Sequence, residues 1–335
     1  MINPKIHFMK SNYLAILFLF IFTACGEKAQ EKKEATIEES KPPHIVFVTG
    51  EEEYRSEESF PMLAKLAKRE LGAKVTVVYS VDSLGIIDPN KTDHIAGLEA
   101  LETADLMVVF MRFRNLPKNE RDYITAYVES GKPIVGFRTS THSFKYTNDS
   151  TLTEFNEAWP AKVFGQQWIT HHGHFDDGKY PVTNISIKDG HADNPILKGF
   201  SEFEAYSWLY HVDGGDWKLQ GDSEPFLMGH STKSQHEIDG KLDEFSLDNP
   251  VAWTKSYTGA SGKKARVFFT TLGHPYDFKL PVVRKIAMNG IFWALEKEDS
   301  IPENGVNVTL DEPFEPNNSG FGQKYKTNQK PMPIQ

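Results

Sequence analysis

Between residues 44 and 137 the chain alternates two patterns of apolar positions. Continuous runs suit strands buried on both faces, as in a parallel sheet. They fall at His44–Gly50, Val75–Tyr79, Leu106–Phe110 and Pro133–Phe137. Segments with helical spacing lie between them. Phe60, Leu63, Leu66, Ala67 and Leu71 line one face of a helix predicted over Glu57–Leu71, and Gly72 suits its C-terminal cap. A short helix is predicted at Ile95–Leu101 and a longer one at Asn119–Ser130, stopped by Gly131. The resulting order, β-α-β-α-β-α-β, is the signature of a doubly wound α/β fold.

From about 145 to 250 the pattern loosens into Gly, Asp, His and aromatic residues, with strands predicted at Tyr180–Ile187 and Ser223–Gly229. Regular apolar runs return at Val251–Thr254 and Ala265–Leu272, and a last helix is predicted over Pro281–Leu295. Residues 299–335 are rich in Pro and Asn with few apolar anchors. They read as an extended arm that lies on a surface or moves freely.

Composition narrows the classes. The 335 residues are 39 % hydrophobic, an ordinary value for a globular chain long enough to bury a sizeable core. Lys plus Arg total 37 against 46 Asp plus Glu, net −9, which argues against a nucleic-acid partner. The single Cys excludes a disulfide framework and a multi-Cys metal site.

That Cys closes the one segment foreign to the α/β pattern. Lys5 and Lys10 precede the ten-residue apolar run Tyr13–Phe22. A bilayer span takes roughly 20 residues, so residues 1–24 read as a signal peptide rather than a membrane helix. Phe22-Thr23-Ala24-Cys25-Gly26 resembles a bacterial lipobox, with Phe22 where leucine is more usual. Cys25 would then carry lipid and anchor the protein to a membrane in the cell envelope, on the periplasmic or outer-membrane face. An ordinary cleaved signal peptide is the alternative. The expected organisation is a leader over 1–24, a lipidated Cys and charged tether over 25–43, an α/β domain over 44–298 and the arm over 299–335. Removing the leader leaves 35 basic and 46 acidic residues, net −11.

Open α/β sheets bind ligands at the carboxyl ends of their strands. Here those ends run into Glu51-Glu52-Glu53-Tyr54-Arg55, Arg112-Phe113-Arg114, Arg138-Thr139-Ser140-Thr141-His142 and Gly273-His274-Pro275-Tyr276-Asp277. Arg112 and Arg114 share parity, so in an extended chain both point one way and could grip a carboxylate or sugar hydroxyls. A structural ion pair with Glu51–Glu53 is the alternative. His142 and His274 are acid/base candidates, against plain hydrogen-bonding or turn roles. In Trp168-Ile169-Thr170-His171-His172-Gly173-His174, His172 and His174 at i, i+2 share one face of a strand. That spacing could hold a divalent metal such as zinc, with a third ligand from His142, His211, His274 or Asp277. Trp159, Trp168, Trp208, Trp217, Tyr206 and Tyr210 suit stacking on sugar rings, or simply core filling. No G-x-S-x-G elbow, dinucleotide fingerprint or P-loop is present.

Several blocks together resemble the ThuA-like family. They are Val46–Gly50 with Glu53–Glu58, Ala104–Arg114, Gly131–His142, Trp168–His174, Pro250–Thr254 and, most specific of all, Arg266–Pro275. The match runs from about 44 to 296 and looks most like secreted or lipid-anchored bacterial members. The resemblance implies a flavodoxin-like fold, as in class I glutamine amidotransferases: a three-layer sandwich with a mostly parallel sheet. Those enzymes carry a Cys nucleophile on the turn after the strand equivalent to Pro133–Phe137. Here that turn is Arg138-Thr139-Ser140, which speaks against glutaminase chemistry. The family takes its name from trehalose utilisation, and its members are often linked to oxidised (3-keto) sugars.

Two functional expectations follow. In the first, the protein acts on a disaccharide or its keto derivative by hydrolysis or isomerisation. His142 and His274 are acid and base, and Glu57 or Asp277 orients a histidine. Arg112, Arg114 and Arg138 hold the substrate or an oxyanion. Tyr54, Arg55, Thr139, Ser140, Trp168 and Tyr210 complete the binding surface, and association with further copies of the chain is left open. In the second, it is a non-catalytic sugar-binding or scaffold lipoprotein.

Overall fold

The computed structural model describes residues 41–213 and 217–335, so the leader, Cys25 and the tether up to residue 40 lie outside the described residues. In chain order the main elements are β1 (His44–Gly50), α1 (Ser56–Leu71), β2 (Lys74–Ser80), β3 (Ile95–Ala96), β4 (Leu106–Met111), α2 (Lys118–Glu129), β5 (Ile134–Phe137), α3 (Thr153–Asn156), α4 (Ala158–Phe164), β6 (Thr183–Ile187), β7 (Phe203–Ala205), β8 (Glu224–Ser231), α5 (Gln235–Ile238), β9 (Asp248–Thr258), β10 (Lys264–Thr270) and α6 (Pro281–Ala294).

The strands form one sheet in the order β3-β2-β1-β4-β5-β10-β9-β8-β6-β7. The five strands from β2 to β10 are parallel, and β9, β8, β6 and β7 extend them antiparallel. The sequence of reversals explains the loose middle pattern: hairpin strands alternate faces, whereas the parallel strands are covered on both.

Period-2 alternation assigns each parallel-strand residue to one of two cores. Ile45, Phe47, Val108, Phe110 and Phe268 pack with α1 and α6. Val46, Val48, Met107, Val109 and Phe269 pack with α2 and α4 on the opposite face. The result is the three-layer α/β sandwich expected. Gly290 lets α6 sit directly on β10, since a Cβ there would lie 2.1 Å from Phe268 Cδ1.

Two expectations change in detail. The segment predicted as a helix at Ile95–Leu101 is a two-residue strand followed by a 3-10 turn over Leu98–Thr103. The arm beyond residue 300 has no regular structure but is held along α1. Arg69 donates to the carbonyls of Asn307 and Thr309, and Lys326 pairs with Glu58. No described helix is long and apolar enough to cross a membrane.

Candidate functional site at the strand ends

The turn after β5 is the tightest feature of the site. Arg138 has φ 39°, a left-handed value that is strained for a side-chain-bearing residue. The turn is pinned from below by Ser140, whose hydroxyl donates to Val109 O at 3.0 Å. The fully buried Arg138 guanidinium donates to Thr271 O at 2.8 Å, Trp208 O at 3.2 Å and Tyr54 Oη at 3.1 Å. It lies 4.3 and 4.5 Å from the ring centres of Tyr54 and Tyr210. Burial opposes its charge, but the two tyrosines and Glu53 hold its pKa above the usual arginine value. Arg138 therefore knits β1, β5, β10 and the 207–210 segment beneath the crevice. Among the described residues Thr139 Oγ1 is buried without a hydrogen-bond partner.

His142 lies four residues on, at the end of the same turn. It is 5 % exposed, and its ring lies between Phe113, at 4.8 Å, and Trp168, at 5.0 Å. Its Nδ1 is 3.3 Å from Thr141 Oγ1, while Nε2 makes no hydrogen bond among the described residues. Burial, then the nearby Arg112 and Arg138 charges, holds its pKa well below the usual histidine range, so the ring is neutral at pH 7.

The two arginines after β4 part company. Phe113 has φ 48°, so the chain is not extended there and parity does not decide the directions. Both side chains pair with Glu52. Arg114, fully buried, also donates to Arg112 O, Ser80 Oγ, Pro89 O and Lys91 O at 2.7–3.3 Å. It ties the 89–91 turn to β4 rather than facing a ligand. Arg112 is partly exposed, with Nε 3.3 Å from Glu53 Oε2, and its Nη2 has no hydrogen-bond partner among the described residues. Burial raises the Glu53 pKa, while Arg112 and Arg138 pull it down. Glu51 is capped by the backbone N–H groups of Glu53 and Tyr54.

Four further predicted residues have their own surroundings. His274 is fully buried: Nδ1 accepts the Tyr276 N–H at 3.1 Å, so the proton sits on Nε2, which donates to Ser319 Oγ at 3.0 Å. Asp277 does not orient a histidine; it accepts the Ser207 hydroxyl and the Tyr206 N–H. Glu57 sits at the start of α1 with its carboxylate 3.6 Å from Arg55 Nη1. Arg55 itself, at φ 60°, donates to Gly320 O at 2.8 Å and to Glu52 O.

The histidine run does not make the expected metal pair. Gly173 has φ 117°, which breaks the strand alternation and turns its neighbours into different surroundings. His172 packs against His236 and hydrogen-bonds Ser234 Oγ at 2.7 Å. His174 instead meets His171 and Trp208 edge to face. Among the described residues, no three His, Cys, Asp or Glu side chains are grouped to hold a metal ion. The residues present do not fit the zinc site that the spacing suggested.

Sequence reasoning offered Glu53 only as an ion-pair partner of Arg112 and Arg114, and did not single out Phe113, Ser207, Ser319 or Phe321. Glu53 and Phe113 adjoin chosen residues and were within reach of the strand-end rule. Ser207, Ser319 and Phe321 come from segments with no periodic pattern.

These features define a doubly wound α/β protein with a buried arginine network and a histidine at the carboxyl ends of its parallel strands. The chain belongs to the ThuA family, described as trehalose utilisation, whose model matches residues 44–294. Among solved structures it is similar to a ThuA-like protein from Bacteroides uniformis, 17 % identical over 79 % of this chain and 97 % of that one, TM-score 0.47. It is also similar to one from Parabacteroides merdae, 17 % identical over 86 % of this chain and 100 % of that one, TM-score 0.48. No curated protein matches the sequence.

Proposed function

We propose that the strand-end crevice binds a carbohydrate and that His142 acts there as a base on a carbonyl-bearing sugar. One observation carries this reading: a neutral imidazole, one nitrogen free of hydrogen bonds among the described residues, wedged between two aromatic rings beside Arg112. Aromatic faces suit the C–H faces of sugar rings. His142 Nε2 takes the proton from a carbon next to the carbonyl, and the C–H electron pair moves into the enolate. Arg112 Nη2 supports the oxyanion. Return of the proton from the imidazolium gives an isomer with no net oxidation. Hydrolysis is less well supported, because it takes two working carboxyl groups. Glu51 is held by backbone N–H groups and Glu52 by two arginines, which leaves Glu53 alone.

The test is deuterium exchange. Full-length protein is incubated in deuterated buffer with disaccharides and their 3-keto forms, and label beside the carbonyl is read by NMR. His142→Gln is expected to slow exchange by about 100-fold or more. Exchange with no keto sugar, or exchange that survives in H142Q, overturns the catalytic reading.

The strained Arg138 turn favours a second reading, sugar binding without chemistry, because it fills with a buried arginine the place where the resembled amidotransferases carry a nucleophile. Binding without exchange supports it. Under either reading the protein works from the cell envelope, held by lipid on Cys25. The basic leader, short apolar run and lipobox-like Phe22–Gly26 support this, and loss of labelled palmitate in Cys25→Ala tests it.

A further inference from the structure

α6 opens without the usual counter-charge. Its first turn holds no acid, and Arg284 and Lys285 follow at once, although the N-terminal end of a helix carries partial positive charge. Arg284 is only 7 % exposed. Its Nε donates to Val308 O at 3.3 Å, and its Nη1 to Phe278 O and Lys279 O, both at 2.8 Å. Nη2 makes no hydrogen bond among the described residues. Burial alone moves the Arg284 pKa, downwards, so no acid is near enough to hold the charge up. The other buried arginines differ: Arg55 has Glu57, Arg114 has Glu52 and Arg138 has Glu53 nearby. A buried cation without a counter-ion is costly.

Arg284 and Lys285 line an open cavity of about 720 Å³ between the start of α6 and residues 304–315 of the arm. The arm wall is fixed. Asn289 accepts the Val306 N–H at 3.0 Å, Arg69 donates to the Asn307 and Thr309 carbonyls, and Arg284 holds that of Val308. Gly305, at φ 77°, turns the chain against Lys198 O, where a Cβ would lie 2.5 Å away. Of the other charged groups in the lining, Lys279 pairs with Glu315 at 2.6 Å and Glu312 is exposed. Lys285 Nζ reaches the Gly199 carbonyl at 3.5 Å and no carboxylate among the described residues. Two positive charges, on Arg284 and Lys285, thus stand without an ion pair in one preformed cavity. Half of its wall lies beyond the family-matched residues 44–294.

We propose that this cavity binds a phosphate group, with the Arg284 guanidinium and the Lys285 ammonium as its cationic contacts. A phosphomonoester carries about −1.5 to −2 charges at pH 7, which balances the two cations. A carboxylate carries one and leaves a cation unmatched. The guanidinium supplies a directed N–H and the ammonium a movable point charge. The phosphate is carried by a small soluble molecule or by a lipid headgroup, and Val306, Val308 and Phe314 in the same lining accept an apolar body in either case. Neither His142 nor Arg112 lines this cavity, so the site stands apart from the carbohydrate reading above.

Full-length protein is titrated by calorimetry, at constant ionic strength, with inorganic phosphate, glycerol 3-phosphate, dihexanoyl phosphatidic acid and acetate. Saturable binding of both soluble phosphates is expected, with acetate weaker by roughly tenfold or more. Lys285→Ala should weaken phosphate binding about tenfold and Lys285→Arg should keep it. Arg284→Met should abolish binding where thermal melting shows it folded; where it does not fold, the two Lys285 variants decide. Phosphatidic acid that binds about tenfold tighter than glycerol 3-phosphate assigns the site to a lipid headgroup, and equal affinity assigns it to a soluble phosphate. Absence of saturable phosphate binding below about 10 mM overturns the inference. So does acetate that binds as tightly as phosphate, or a K285A variant that binds phosphate as the wild type does.

Discussion

The Asp277 carboxylate accepts the hydroxyl of Ser207 at 2.5 Å, and the Ser207 oxygen in turn accepts the backbone N–H groups of Gly273 and His274 at 3.1 and 3.0 Å. This chain of bonds closes the turn after β10 with no partner left over. Asp277 is therefore a structural carboxylate. Asp277→Asn turns an acceptor into a mixed donor and acceptor facing the Ser207 hydroxyl and the Tyr206 N–H. It should lower unfolding free energy by about 1–3 kcal/mol, read from urea or thermal unfolding. An unchanged midpoint would show that the turn holds itself.

Arg112 and Arg114 should separate cleanly in mutagenesis. Arg114→Leu removes a fully buried cation from its pair with the partly exposed Glu52 and orphans the carbonyls of Pro89 and Lys91. A loss of about 3–5 kcal/mol is expected, enough to unfold many domains. Arg112→Lys keeps a charge at a partly exposed position but gives up the planar contact with Phe113 and Phe321. Its melting temperature should move little while sugar binding weakens. Equal destabilisation by both changes would refute the division of labour.

Glu57 predicts a pH dependence on the alkaline side. Burial pushes its pKa up to about 7, and the Arg55 charge only partly opposes this. An acid with a raised folded pKa stabilises the fold fully below its unfolded pKa, near 4.5. That contribution is lost as pH rises through 7. Glu57→Gln should flatten the fall in stability between pH 5 and pH 8 by about 1–3 kcal/mol, measured by denaturant unfolding at both values. A wild-type curve that is level over that window, or a fall that E57Q leaves intact, would mean that Glu57 is not titrating there.

The sheet's parallel half was legible because its signal is unbroken. All seven residues of His44–Gly50 are buried, and the apolar run says so directly. The antiparallel half was harder to read. β9 extends from Asp248 to Thr258, but only Val251–Thr254 reads as an apolar run, because Lys255–Thr258 lies in the outer end of a hairpin with β10. The short β7 and α4 were passed over, since three and seven residues give too little periodicity to detect. At the site, the strand-end rule found the right edge but not the roles. Whether an arginine faces a ligand or a carbonyl depends on turns such as 89–91, which meet it only in the folded state.

His274 and His142 provide the sharpest comparison. The sequence pattern makes both acid/base candidates, and a catalytic His274 would lose turnover on replacement with its fold intact. In the fold both His274 nitrogens are engaged, one by the Tyr276 N–H and one by Ser319, and the ring is fully buried. Burial, then the Arg138 charge, holds its pKa well below the usual range, so it stays neutral and takes part through geometry. His274→Ala should then cost stability through a cavity and an orphaned Tyr276 N–H, by about 2–4 kcal/mol. His142→Gln should leave the melting temperature within about 2 °C, because its Nε2 supports no hydrogen bond among the described residues. The keto-sugar exchange assay separates the two. Exchange per folded molecule should collapse in H142Q and persist in part in H274A. The reverse order would move the catalytic base to His274 and return His142 to the core.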